Sequence, residues 1–542
     1  MEIQRLSHHG PLPTTIRAVR DSHSPARGRT LVVCLDGTGD SFDDDNSNVV
    51  NFVACLKKDD PNQVTYYQAG IGTYGRKGLQ SGFSAAIDMA VGSGLGIHIR
   101  DAYRFLMQNY QEGDRICLLG FSRGSYTVRC LAGMLHKVGL LPAHNRAQVT
   151  FAYKFYKDDT PNGWKMSAEF KKTFCMNVNV YFVGVWDCVA SVGFIPRKLP
   201  FSKSPTNVIG FFRHAMALDE HRAKFKVCRY QPQQLDGVNP IDEKTIDRTF
   251  HTQFKGFYHR LFHSDNPDQK TKSPLDKLKK VKTNQEVLEK VFDKYERRTI
   301  TPCKTDALEV WFMGAHADVG GGAVANEERH MLSRIPLRWM IRQTFECNTG
   351  ILFDTAGLAE TGLDVPTLWP VYKQNRKPAV GPSPKTLELW EKGGLPSLKR
   401  RSTVLGLQDS HEEKQQQSSK RRESDLNTLT NSQDTTNPMH LLPEQVEDYF
   451  DALAPMNDQL VLAKPWWILE FWPIKVRIQR DEEDGGYWEK VVRWNLGRYR
   501  CVQETDPRMH WTVEMRMGEG DKERAYKLRA RVDRDASWRS VA

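Results

Sequence analysis

The sequence predicts an α/β fold, with a mostly parallel central sheet, helices on both faces, helical insertions and an appended C-terminal segment. Three observations carry this. Two short runs, LVVCL at 31–35 and, after its first residue, RICLLG at 115–120, are apolar, as strands buried on both faces must be. Segments with apolar residues at helical spacing, 97–110 and 125–137, alternate with such runs. A chain of 542 residues also has ample surface to bury around one large core.

Residues 1–29 are polar, broken by Pro and Gly, and expected to form a disordered leader. They lack the apolar stretch of a secretory signal, and Glu2, Asp21 and the prolines disfavour an amphipathic presequence. The main α/β domain is expected over 30–376. After the strand at 31–35 comes VTYYQ at 64–68, a second strand. GFSAAIDMAVGSGLGI at 82–97 is too short for a membrane span and carries Asp88, so it reads as core. VNVYFVGVWD at 178–187 and LEVWFMGAH at 308–316 are further strands. Between them, 200–305 holds a predicted helix at 213–224 and an amphipathic segment at 276–297, the composition of a helical cap.

From 377 to 440 the chain is basic, Gln/Ser-rich and aromatic-poor, and a disordered insertion is expected. Its Ser402 and Ser424 follow arginines in a form that basophilic kinases favour. Residues 441–542 bring Trp466, Trp467, Trp472 and Trp511. Alternation at 510–516 and the run at 465–478 predict strands that dock on the catalytic domain, with a lipid-facing rim as the other outcome.

Lys and Arg number 77 against 66 Asp and Glu, a net charge of +11. The basic runs are mixed with acids and lack any zinc finger or RNA-binding aromatic pair, so no nucleic-acid partner is expected. An anionic membrane surface suits the charge as well, as a peripheral contact. Ten scattered cysteines without a CxxC pair exclude a zinc array or a disulfide scaffold and suggest the cytoplasm. Neither metal nor cofactor is expected. Asp40, Asp43, Asp44 and Asp45 lack the glycine and distal glutamate of a calcium loop, and His214 and His221, on the predicted 213–224 helix, lack zinc spacing.

The sharpest local signal is Gly120-Phe121-Ser122-Arg123-Gly124, a G-x-S-x-G between a strand and a helix. The glycines permit a strained turn that lifts the serine hydroxyl above the sheet, and the Arg123 N–H can face a developing oxyanion. A serine nucleophile needs a base, and the base an orienting acid. In hydrolases of the α/β type these follow in the order Ser, Asp, His at the carboxyl ends of strands, which Asp187 and His316 satisfy. Asp318 competes for the orienting role, its other reading being an acceptor for backbone N–H groups of the glycine-rich turn. Asp36 opens a turn whose Gly37 or Thr38 N–H could complete an oxyanion hole; an ordinary Asx turn is the alternative.

Together, LDGTGD at 35–40, GIGT at 70–73, GFSRGSYTVR at 120–129, VGVWDCVASVG at 183–193, FRHAMALDEHRAKF at 212–225 and MGAHADVGGG at 313–322 resemble the α/β-hydrolase family of type VI secretion phospholipase effector catalytic domains, which has many fungal members. The likeness covers about 30–350, and PWWILEFWP, NLGRYR and HWTVEMR resemble the C-terminal region of fungal members. Two departures stand out. Gly39-Asp40 replaces the Trp-Asn pair usual after DGT, and Ser125 replaces the usual alanine. The resemblance implies an α/β-hydrolase-like fold and a triad of Ser122, Asp187 and His316, acting through an acyl-enzyme on acyl esters or lipids such as glycerophospholipids. A catalytically inactive hydrolase fold serving as a protein- or membrane-binding module is the alternative.

Overall fold

The computed structural model describes residues 11–23, 28–37, 40–70, 94–189, 199–202, 208–230, 304–378, 380–407, 441–471, 473–480, 487–518, 526–533 and 535–542, with positions 285, 288, 289 and 292. In chain order its strands are β1 (Thr15–Arg17), β2 (Thr30–Leu35), β3 (Gln63–Gln68), β4 (Arg115–Phe121), β5 (Val180–Trp186), β6 (Ile209–Ala217), β7 (Asp306–Phe312) and β8 (Leu352–Asp354). The C-terminal part adds β9 (Pro473–Arg480), β10 (Tyr487–Trp494), β11 (Cys501–Val502), β12 (Arg508–His510), β13 (Arg531–Val532) and β14 (Arg539–Val541).

One eight-stranded sheet runs β14-β12-β7-β6-β5-β4-β2-β3, and every pairing in it is parallel. Strand pleating divides the core in two. Val32, Cys34, Cys117 and Leu119 join Phe52, Trp339 and Phe345 on one face. Leu31, Val33, Leu35, Ile116 and Leu118 join Ile99, Leu106, Leu131 and Leu135 on the other. Helices therefore cover both faces, Asn48–Ala54 and Arg334–Glu346 on the first and Leu95–Asn109 and Ser122–Val138 on the second. The carboxyl ends of β4, β5 and β7 meet at one rim, which is where such sheets place their sites.

Several expectations are corrected here. Within the leader, Thr15–Arg17 pairs antiparallel with β8 and buries Ile16 and Ala18, a strand too short to show periodicity. The helix expected at 213–224 is instead β6 followed by a loop; a strand buried among neighbours shows no alternation, and its apolar spacing mimicked a helix. Within 377–440, residues 380–407 carry helices Pro384–Glu391 and Arg400–Val404, and 408–440 lie outside the described residues. Ser402 is fully buried and donates to Glu360 at 2.6 Å, so it is no kinase substrate in this fold, and Ser424 lies outside the described residues. Alternation at 510–516 was misleading: β12 ends at His510 and a helix spans Trp511–Gly518. PWWILE is likewise helical, in two short turns before β9. Most of the expected cap, and 82–93, lie outside the described residues.

Besides the apolar packing of Phe450 and Ala452, buried charge pairs fasten the helix Glu444–Ala452 to the body. Arg338, 1% exposed, reaches Asp448 and Asp451 at 2.6 Å each, and Arg342 grips Glu444 through both carboxylate oxygens. Burial raises the Asp448 carboxyl to about 7 despite Arg338, with Glu444 adding to the rise. Replacing Arg338 by Met leaves two buried carboxylates without their cation. The expected loss is about 3–5 kcal/mol in urea unfolding; unchanged stability would show that the network contributes nothing.

Candidate active site

β4 delivers Phe121 in extended backbone, and the next residue, Ser122, turns to φ +55° and opens the helix Ser122–Val138. A serine at positive φ is strained, and the surrounding packing holds it there. Gly124 shows the constraint: a Cβ on it would stand 2.2 Å from the Leu35 carbonyl oxygen. Asp187, directly after β5, also has positive φ, at +36°. His316 follows the β7 turn, where Gly314 takes φ +101°, and its ring lies between Phe121 and Phe225 at centroid distances of 4.7 and 4.8 Å.

These three side chains, far apart in sequence, form one line. His316 Nε2 is 2.8 Å from Ser122 Oγ, and His316 Nδ1 is 2.5 Å from Asp187 Oδ2. All three are buried, at 5%, 0% and 5% exposure for Ser122, Asp187 and His316. Burial alone would raise the Asp187 pKa, but Arg500 and His316 outweigh it and hold the carboxyl below the ordinary carboxylate range. Burial also lowers the His316 pKa, against Asp187, with Arg222 adding to the drop. A neutral imidazole between a carboxylate and a hydroxyl can accept the serine proton.

The remaining predicted residues divide. Asp318 does not reach the imidazole: it accepts from the Ala315 N–H at 2.8 Å and from Asn457, and burial raises it to about 6. Asp36 closes its own turn, accepting from Ser47 Oγ, the Gly37 N–H and Tyr67 Oη, and burial raises its pKa. The Gly37 N–H is thus committed to Asp36 at 2.8 Å, which corrects its candidacy as an oxyanion donor; Thr38 lies outside the described residues. Arg123 is 6% exposed, its Nη1 has no hydrogen-bond partner among the described residues, and burial lowers the guanidinium to about 10 against Asp40. His214 and His221 bind separate acids, Glu309 and Asp458. Among the described residues no three His, Cys, Asp or Glu are grouped as a metal site.

Sequence reasoning missed two arginines and a glutamate. Arg500 forks both Asp187 oxygens, at 2.6 and 2.9 Å, across 313 residues. Glu220 accepts from the His316 backbone N–H at 3.2 Å and is held by Arg222, which lies over the Phe225 ring. Arg500 and Arg222 outweigh burial and hold Glu220 down to about 2. The one available signal was that a carboxylate ending an apolar strand needs a cationic partner.

A family model described as T6SS, phospholipase effector Tle1-like, catalytic domain matches residues 29–343. An uncharacterized protein of Saccharomyces cerevisiae, YEL023C, is 27% identical over 577 residues, covering 92% of this chain and 80% of its own length. Among solved structures, an uncharacterized protein from Pseudomonas aeruginosa aligns at 14% identity and a TM-score of 0.29, over 80% of this chain and 63% of its own. The Tle1 effector bound to the VgrG spike of the type 6 secretion system aligns at 18% identity and a TM-score of 0.20, over 38% and 48%. The chain thus spans less than two thirds of either solved chain.

Proposed function

The chain belongs to the Tle1-like family of phospholipase effector catalytic domains, matched over residues 29–343, and from that premise we propose that it is a serine hydrolase cleaving acyl esters of lipids, with Ser122, His316 and Asp187 as its triad. The observation that carries the reading is the unbroken line of hydrogen bonds from Asp187 Oδ2 through the His316 ring to Ser122 Oγ, at 2.5 and 2.8 Å. In this mechanism His316 Nε2 takes the proton of Ser122 Oγ as that oxygen attacks the ester carbonyl. Asp187 holds the Nδ1–H tautomer and stabilises the imidazolium. The Arg123 N–H is the candidate donor to the oxyanion. The tetrahedral adduct collapses to an acyl-enzyme, His316 passing its proton to the leaving alcohol, and water then releases the acid.

A fluorophosphonate probe is expected to label Ser122 alone, since only a serine with its own base reacts readily. Peptide mapping that places the label elsewhere on active protein overturns the assignment. A panel of p-nitrophenyl esters and phospholipids then defines the substrate.

Membrane contact is part of this reading. Trp467, Ile468, Phe471, Val492 and Trp494 are 40–58% exposed, in a stretch that also exposes Lys464 and Arg493. This pairing of aromatics with cations suits an anionic lipid surface. Trp466, one residue before the patch, is buried against Phe225, which itself touches His316, so patch and site share a wall. Replacing Phe471 and Trp494 together by Ser is expected to reduce turnover of anionic vesicles about tenfold, a loss of ~1.4 kcal/mol, with hydrolysis of a soluble short ester unchanged. Equal losses on both substrates would refute the contact.

A further inference from the structure

The hydrogen bonds that hold the Ser122–His316–Asp187 line reach beyond the family-matched region. Arg500 belongs to the segment after residue 441, and its guanidinium has every N–H engaged. Nη1 donates to Asp187 Oδ1 at 2.6 Å and to the Ala217 carbonyl at 2.8 Å; Nη2 donates to Asp187 Oδ2 at 2.9 Å and to the Phe225 carbonyl at 2.5 Å; Nε donates to Phe225 at 3.2 Å. The side chain is 6% exposed. Asp187 is equally saturated, since Oδ1 also accepts the Ala217 N–H at 3.0 Å and Oδ2 faces His316 Nδ1.

The loop that delivers Arg500 is itself locked onto the residues following β6. Tyr499 stacks on His221 at 4.5 Å and 2°, and Asn495 Nδ2 donates to the His221 carbonyl at 2.7 Å. Glu470 accepts both the Gly497 N–H at 2.9 Å and the Ala223 N–H at 2.5 Å. A fork approaching a carboxylate in its own plane fixes rotation as well as position, which an ammonium cannot do. Asp187 needs that help, because it sits at positive φ where the backbone alone holds it poorly.

We propose that Arg500 is a positioning residue for the reaction, fixing the Asp187 carboxylate so that His316 Nδ1 and Nε2 stay in line with Ser122, and that this one side chain thereby completes the active site. The proposal rests on the reading of Ser122, His316 and Asp187 given above. It has an electrostatic side too. Asp187 bonds the His316 ring and Glu220 its backbone N–H, and each carboxylate is paired with a guanidinium, Arg500 and Arg222, so the charges next to the base are balanced. Removing Arg500 leaves an excess negative charge beside the imidazole, which then holds its proton to higher pH.

The experiment compares the full-length chain with Arg500→Lys, Arg500→Gln and, as a control, Arg498→Gln, on a soluble p-nitrophenyl ester. Competent sites are counted by fluorophosphonate titration. Arg500→Lys keeps the charge but loses the fork; kcat per titrated site should fall roughly 10²-fold, with KM and the acid limb of kcat/KM unmoved. Arg500→Gln should fall at least as far and move the acid limb to higher pH, and Arg498→Gln should match the parent. A kcat per titrated site equal to the parent in both Arg500 variants, or failure of even Arg500→Lys to fold, overturns the proposal in favour of a purely structural ion pair. Absence of labelling in the parent chain would instead strike the triad reading itself, so the two failures are distinguishable.

Discussion

Ser122→Ala is expected to lower kcat on a soluble ester by about 10⁶-fold, the scale seen when a triad nucleophile is removed from a serine hydrolase. The change deletes one oxygen, the atom 2.8 Å from His316 Nε2. Alanine meets the same positive φ as serine, so the backbone strain is unaltered and thermal melting should stay close to that of the parent. Burst and steady-state assays on matched protein give the test. Retention of more than about one part in 10³ of the parent rate would mean that another nucleophile, or water activated directly by His316, does the chemistry.

Asp187→Asn is expected to lower kcat by about 10⁴-fold, and, unlike many acid-to-amide changes at triads, to destabilise the protein as well. The amide presents either oxygen or nitrogen to His316 Nδ1, with no charge to stabilise the imidazolium. It also leaves Arg500, 8% exposed, with no anion for its fork. Loss of one partner of a buried pair costs about 3–5 kcal/mol, so the melting temperature should drop together with kcat. Asp318→Asn is the contrast, because Asp318 serves the Ala315 and Asn457 N–H groups rather than the imidazole. It should cost less than tenfold in kcat. The reverse ranking, measured at matched folded fraction, would move the orienting role to Asp318.

How far the sequence revealed this arrangement depended on whether the signal was local. The Ser122 turn was legible because strand, glycines and helix are contiguous, and the strands ending at Asp187 and before His316 were legible because β-prone runs stopped at an ionisable residue. β6 was not. Its buried residues include Arg213 and His214, which pair with Asp306 and Glu309 on the neighbouring strand, and no period in one segment reports a partner in another. Arg500 was hidden for the same reason, lying in a short polar-looking stretch whose acid is hundreds of residues away. Gly37 illustrates the opposite error. Its turn was recognised, yet the fate of its N–H depended on which way the Asp36 carboxylate pointed.

The position of β12 and β14 at one edge of the eight-stranded sheet has a consequence for how the protein is made. β7 ends at Phe312 and its outer neighbour begins at Arg508, about 200 residues later. At roughly 5–20 residues per second on the ribosome, that separation is about 10–40 s. During this interval the β7 edge around Trp311, where Met509 later pairs, lacks its strand neighbour and is a template on which another nascent chain can pair. The same interval precedes the arrival of Arg500, so an unfinished chain has an open sheet edge before its Asp187 carboxylate meets its arginine. Messages broken before codon 500 would then yield aggregation-prone fragments whose Asp187 lacks its arginine partner.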